Sequence, residues 1–222
     1  MIDLRREGDV FVATMNAGEN RFNRDFIDAW NAVLDEVEKS TGAAALVTTG
    51  GTEKFYSNGL DLDWIGTLEG EDGSRFIADV VRLLGRVLGL GLPSVAAING
   101  HAFAGGAMLA LAHDFRVMRE DRGYFCLPEV DLGLPLAAGM SALIKTRLWG
   151  TTLRDLLLTG MRIGGIEAAT RGIVDHAEPP TNVLPKAIEI AASLAAKNRA
   201  TYGALKENLY GDSIAMMRRG TQ

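Results

Sequence analysis

Cysteine is nearly absent: among 222 residues there is one, Cys126. A lone cysteine excludes an intrachain disulfide and points to a reducing compartment. Beside it stand only three histidines, so no zinc-type Cys/His spacing exists and no metal site is expected. Positive charge is in the minority, with 23 Lys+Arg against 28 Asp+Glu and a formal net charge of −5. No basic stripe appears, which argues against a nucleic-acid partner. Long apolar runs are missing too; none approaches the roughly 20 residues needed to span a bilayer. The opening MIDLRREGDV is charged and lacks the apolar core of a signal peptide. The closing Gly220-Thr221-Gln222 does not read as a peroxisomal address. These absences lead to the expectation of a soluble cytoplasmic protein with no membrane partner.

Hydrophobic residues make up 47% of the chain, enough for a substantial core in a single α/β domain of this length. Val10–Met15 (VFVATM) is rich in branched and aromatic residues and reads as a strand. Within Arg24–Lys39, Phe26, Trp30, Val33, Leu34 and Val37 recur at three- and four-residue intervals and give a helix one apolar face. Residues 43–48 read as a buried strand, 72–90 as a helix ended by Gly91 and Pro93, and Ser94–Ile98 as a strand closed by Asn99-Gly100. Residues 107–113 form a small-residue helix and 115–118 a further strand. Helices are expected over 137–149, 152–158, 166–171, 185–197 and 200–210. Strands thus alternate with helices through the first 126 residues and helices dominate afterwards, an α/β core with a helical C-terminal part. No internal repeat interrupts this order. Pro179-Pro180 marks a turn, since the remaining residues are too few for a core of their own.

Three segments carry chemistry. In Phe55-Tyr56-Ser57-Asn58-Gly59-Leu60-Asp61-Leu62, Gly59 lets the backbone approach a ligand and aims the Leu60 amide into a cleft; a plain strand-to-helix turn is the competing reading. In Asn99-Gly100-His101-Ala102-Phe103-Ala104-Gly105-Gly106-Ala107-Met108, a strand runs into a Gly-Gly pair that opens a helix. A helix start leaves N–H groups unpaired and partly positive, which suits a developing oxyanion, although close helix packing would use the same small residues. His101 reads as a packing residue in this turn. In Phe125-Cys126-Leu127-Pro128-Glu129-Val130-Asp131-Leu132-Gly133-Leu134-Pro135, Glu129 sits in an apolar run between prolines. A carboxylate there has a raised pKa and becomes a usable base; a surface loop glutamate is the alternative.

Taken in order, SNGLDL, NGHAFAGGAMLALAHDFRV and FCLPEVDLGL resemble the crotonase (enoyl-CoA hydratase/isomerase) superfamily, from the Val10 strand to at least Glu167-Ala168-Ala169. The resemblance implies a spiral of ββα turns, with residues 1–178 as the spiral core and 179–222 as C-terminal helices of one domain. It also implies trimers or dimers of trimers, an acyl-CoA thioester as substrate, and no cofactor beyond the coenzyme A of that substrate.

By the same resemblance, the two oxyanion-hole amides belong to Leu60 and Gly105. Hydratases of the family carry two glutamates; this chain keeps the second as Glu129 but has Met108 at the first. Hydration needs a water held between a proton donor and a proton acceptor, and a thioether can be neither. One carboxylate suffices to move a double bond from the 3- to the 2-position, taking a proton from C2 and returning one to C4. The resemblance to the Δ3,Δ2-enoyl-CoA isomerase branch points the same way. Glu129 is then the proton shuttle, Met108 and Leu132 belong to the acyl pocket, and Ser57 and Gly59 offer backbone contacts to the ligand. Relatives place a lysine near the nucleotide phosphates where this chain has Asp63, so Arg21 is the candidate replacement, and Lys206 is a weaker candidate for a neighbouring subunit's phosphate. The alternatives are a hydratase that recruits Asp61 or a water chain, a non-catalytic acyl-CoA binder, and an acyl-CoA hydrolase.

Overall fold

The computed structural model describes residues 1–220, so Thr221 and Gln222, which carry most of the reading about a peroxisomal address, lie outside the described residues. In chain order the elements are β1 (Ile2–Glu7), β2 (Val10–Met15), β3 (Arg21–Phe22), α1 (Arg24–Lys39), β4 (Ala45–Gly50), β5 (Phe55–Ser57), β6 (Gly59–Leu60), α2 (Leu62–Ile65) and α3 (Asp72–Leu88). Then come β7 (Ser94–Ile98), β8 (His101–Phe103), α4 (Gly105–Ala112), β9 (Phe115–Arg119), β10 (Phe125–Cys126), α5 (Glu129–Leu132), α6 (Ala138–Arg147) and α7 (Gly150–Thr159). The chain closes with α8 (Gly165–Thr170), β11 (His176–Glu178), α9 (Val183–Leu194) and α10 (Arg199–Arg219).

The main sheet runs β1-β2-β4-β7-β9-β11, with the β1–β2 pair antiparallel and the others parallel. Successive side chains of a strand face opposite sides. On β2, Phe11, Ala13 and Met15 enter the main core, while Val10 and Val12 join Val47, Val95 and Val117 beneath α9. Both faces are covered, so these strands read as continuous apolar runs. β1 escaped the sequence reading because it is an edge strand with exposed Arg5, Arg6 and Glu7, the charged dress that keeps an edge from pairing further.

A second sheet, β10-β8-β5, is parallel, and a small pair, β3-β6, stands beside it. The chain thus goes from the main sheet to the second sheet to a helix, and does so repeatedly: β4, β5, α3; β7, β8, α4; β9, β10, α6. This is the expected ββα course of an α/β fold with C-terminal helices. Its strands of two or three residues are too short for an alternating pattern to register in the sequence.

The last helix is longer than its periodicity suggested, reaching Arg219 rather than residue 210. Asn198 starts it by accepting a hydrogen bond from Thr201 N at 2.9 Å. Gly211 does not end it, because Ile214 and Met217 beyond are buried against α3 and α6. The approach is close: a Cβ at Gly85 would lie 2.7 Å from Met217 Cβ.

Candidate active site

Helix α4 begins abruptly. Its first residue, Gly105, follows Ala104, which holds φ 49° and ψ −122°, a conformation that costs a non-glycine residue on the order of 1–3 kcal/mol. The first helical bond is Met108 N donating to Ala104 O at 3.0 Å. The N–H groups of Gly105, Gly106 and Ala107 therefore have no partner within the helix, and they carry its positive end. Gly106 must be glycine for packing: a Cβ there would sit 2.2 Å from Ser57 O.

The strand β6 meets this helix start from the side. Gly59 has φ +77°, and a Cβ on it would fall 2.7 Å from Gly105 N. The backbone at residue 59 thus touches the first amide of α4. Asp61 N donates to Phe22 O of the β3 strand at 3.0 Å. Adjacent residues of a strand direct their N–H groups to opposite edges, so the Leu60 N–H turns away from β3. Among the described residues no other strand pairs with β6, and Leu60 lines the cavity there.

That cavity, about 710 Å³, is lined mainly by apolar side chains, among them Leu62, Ile65, Ile77, Met108, Leu132 and Met140. Gly105 and Glu129 line it as well. Glu129 opens the one-turn helix α5, directly after Pro128. Its Oε2 is buried and has no hydrogen-bond partner among the described residues. Burial pushes its pKa above the ordinary 4.5, opposed only in part by a hydrogen bond from its own main-chain N–H. The alternative of a surface loop glutamate does not hold: Glu129 stands on a helical turn closed by Gly133 in the left-handed conformation.

The remaining candidates fall in three groups. Met108, 2% exposed, and Leu132 line the cavity, one as part of the core and the other half in solvent. Ser57 and Gly59 stand behind the wall: Ser57 is buried, with its hydroxyl donating to Asn20 O at 2.7 Å and accepting from Gly59 N at 3.2 Å. Arg21 is at the mouth, but its guanidinium already faces two carboxylates, Glu19 at 2.7 Å and Asp63 at 3.9 Å.

Two sequence ideas change. Lys206 is 4% exposed and its Nζ lies 2.8 Å from Asp114 Oδ1, so it cannot reach a neighbouring subunit's phosphate. Asp61 caps α2, accepting from Trp64 N at 3.3 Å, and does not line the main cavity. His101 packs among Phe55, Phe103 and Tyr124, with ring centroids 5.0–5.8 Å away, and is also outside that lining. The sequence reading missed Arg162, which lines the cavity with its guanidinium 5.6 Å from the Phe103 ring centroid. No spacing signals it, because its place depends on the bridge between Ile163 and Phe125. No helix among the described residues is long and apolar enough to cross a membrane.

Known proteins resemble this chain in sequence and fold. The profile of the enoyl-CoA hydratase/isomerase family matches residues 5–218. Enoyl-CoA delta isomerase 3 of Arabidopsis thaliana is 37% identical over 228 aligned positions, covering 98% of this chain and 95% of its own length. Enoyl-CoA delta isomerase 2, peroxisomal, from the same plant is 35% identical over 229 positions, with coverage of 98% and 95%. Among solved structures, the apo enoyl-CoA isomerase of Mycobacterium tuberculosis superposes with a TM-score of 0.89 at 26% identity, covering 99% of this chain and 95% of that one.

Proposed function

Because the chain belongs to the enoyl-CoA hydratase/isomerase family of enzymes, we propose that it is an isomerase that shifts the double bond of a 3-enoyl-CoA to the 2-position. The observation that carries this reading is the half-buried carboxylate of Glu129, whose Oε2 is shielded and unpartnered among the described residues, in a cavity that has Met108 where a hydratase of the family needs its second acid; the other acid on the lining, Asp131, is solvent-exposed.

The thioester oxygen accepts hydrogen bonds from Leu60 N–H and Gly105 N–H. The ionised Glu129 removes a proton from C2, and the electron pair spreads over the dienolate, with its negative charge on that oxygen. Glu129, now protonated, gives the proton to C4, and the double bond is left between C2 and C3. No atom is gained or lost. Each main-chain donor contributes roughly 3–4 kcal/mol to lowering the barrier. Burial serves the base directly, since a carboxylate poorly solvated by water binds a proton more tightly and removes it from carbon more readily.

Met108, Leu132 and the apolar residues around them hold the acyl group. Gly59 and Ser57 fix the Leu60 amide from behind. Arg21 meets the coenzyme A phosphates, weakened by Glu19 and Asp63. The protein works as one domain in the cytoplasm, its core of residues 1–178 and its C-terminal helices together, assembled as a homotrimer or a dimer of trimers. The lone buried Cys126 suits a reducing compartment.

The test is a direct assay of the purified protein with a 3-enoyl-CoA, following the 2-enoyl product. Full activity in Glu129→Gln would remove Glu129 as the base. A substantial rate of 3-hydroxyacyl-CoA formation from crotonyl-CoA would move the assignment to a hydratase. Tight acyl-CoA binding without turnover would leave a binder, and release of free coenzyme A would mark a hydrolase.

A further inference from the structure

His113 is fully buried and plays no part in the chemistry above, yet both of its ring nitrogens are engaged. Nδ1 lies 2.8 Å from Leu109 O, and Nε2 lies 3.1 Å from Thr48 Oγ1. Thr48 Oγ1 is also 2.8 Å from the hydroxyl of Tyr56. All four residues are 0% exposed.

The direction of every bond follows from the chemistry of the groups. Burial lowers the His113 pKa to about 4, so the ring is neutral and carries one N–H. A carbonyl oxygen can only accept, so that hydrogen is on Nδ1 and points to Leu109 O. Nε2 then accepts, and Thr48 must donate to it. With its only hydrogen committed, Thr48 Oγ1 accepts from Tyr56. The sequence of donors is Tyr56 O–H to Thr48 O–H to His113, and His113 N–H to the Leu109 carbonyl. That carbonyl is in the last turn of α4, where His113 N donates to Ala110 O instead, which leaves Leu109 O for the imidazole.

The ends of this chain of hydrogen bonds are significant. Tyr56 is on β5, four residues before Leu60 and joined to it through Asn58 and Gly59. Leu109 and His113 close α4, which starts at Gly105. Thr48 stands between them on β4, in the middle of the main sheet. We propose that Tyr56, Thr48 and His113 are positioning residues: their buried relay sets the helix bearing one oxyanion amide against the strand bearing the other. The inference rests on the oxyanion-hole reading above. Its physical basis is that a fully satisfied, desolvated hydrogen-bond chain with determined polarity tolerates little displacement, because any shift leaves a buried polar group unpaired, whereas apolar contacts carry no such directional requirement. A rigid helix transmits a shift at its end to its start.

Tyr56→Phe and Thr48→Val break the relay while keeping side-chain volume. The expected result is a fall in kcat on the order of tenfold with KM within about twofold, because a misplacement near 1 Å can cost 10²-fold. Thr48→Ser, which returns the hydroxyl, recovers most of the lost rate. Val117→Ala, buried on the opposite face of the sheet, serves as the stability control: it lowers the melting temperature without the kcat loss. The decisive readout is the infrared carbonyl stretch of a bound, unreactive saturated acyl-CoA. Wild type lowers this frequency relative to free ligand; Tyr56→Phe and Thr48→Val return it part of the way. Wild-type kcat and carbonyl frequency in both variants would overturn the proposal, as would a kcat loss that Val117→Ala shares at equal melting temperature. A wild-type protein that leaves the bound carbonyl frequency unshifted would instead refute the oxyanion hole itself.

Discussion

The carboxylates of Asp114 and Glu129 are both shielded from water, the second through one oxygen, and they are held in opposite ways. Asp114, just after α4, is satisfied on every side. Its Oδ2 accepts from Ser94 N at 2.9 Å, Ser94 Oγ at 3.1 Å and Tyr202 O–H at 3.1 Å, and its Oδ1 faces Lys206 Nζ at 2.8 Å. The lysine approaches off the line of a good hydrogen bond, so the contact is an ion pair rather than a directed bond. Glu129 has a buried oxygen with no partner, in an apolar cavity. A buried charge without a counter-charge costs stability and raises the affinity for a proton. The fully paired group ties α10 to the core; the unpaired one keeps a proton affinity that chemistry can use.

The sharpest way to break this contrast is Glu129→Gln. The expected loss is about 10²–10⁴ in kcat, with acyl-CoA affinity retained, measured by 3-enoyl-CoA turnover and by calorimetric titration with a saturated acyl-CoA. The pH profile tests the same group. Proton removal needs the ionised form, so activity falls as pH drops through the Glu129 pKa, and the midpoint lies above 4.5. A midpoint at or below the ordinary glutamate value would show a solvated carboxylate.

Asp114→Ala should act on stability instead. It leaves Lys206, 4% exposed, without its counter-charge, and the cost is about 3–5 kcal/mol in urea unfolding. An unchanged unfolding midpoint would mean that the pair contributes nothing.

His113 supplies a pH test of a satisfied buried group. Its folded pKa of about 4 lies below the ordinary histidine value of 6.5, so the unfolded chain binds the extra proton first. Its contribution is complete above pH 6.5 and lost as pH falls toward 4, a slope worth about 3 kcal/mol over that window. Stability that stays flat between those pH values would show the ring protonated in the folded state.

The smallest effect belongs to the mouth. Arg21 is partly exposed and faces Glu19 and Asp63, so Arg21→Gln should raise KM for acyl-CoA by only two- to fivefold, in keeping with about 0–1 kcal/mol for exposed charges. The difference should shrink as salt is added. A larger, salt-independent change would make Arg21 a specific phosphate ligand.

Local pattern made much of the fold legible. The three- and four-residue spacing of Phe26, Trp30, Val33, Leu34 and Val37 marked α1, and all five are buried. β2 and β7 have the bounds that their branched and apolar residues indicated. The two-residue strands β3, β6 and β10 carry no usable period, and the charged edge strand β1 does not look like a strand at all. In the site, motif order pointed to Leu60, Gly105 and Glu129, but not to Arg162. Lys206 reads as a weak candidate for a neighbouring subunit's phosphate until Asp114, far away in the chain, is placed beside it.

By itself, then, the sequence determined which segments have apolar faces, that glycines open α4, and that a methionine and a glutamate occupy positions 108 and 129. Those are properties of residues and their near neighbours, and periodicity encodes them. Only the tertiary structure decided that Leu60, Gly105 and Glu129 line one cavity, that one Glu129 oxygen is shielded without a partner while Lys206 is buried beside one, and that Tyr56, Thr48 and His113 form a chain. The physical reason is desolvation and main-chain direction. Whether water reaches a charge, and where an amide hydrogen points, depends on segments that meet only after folding.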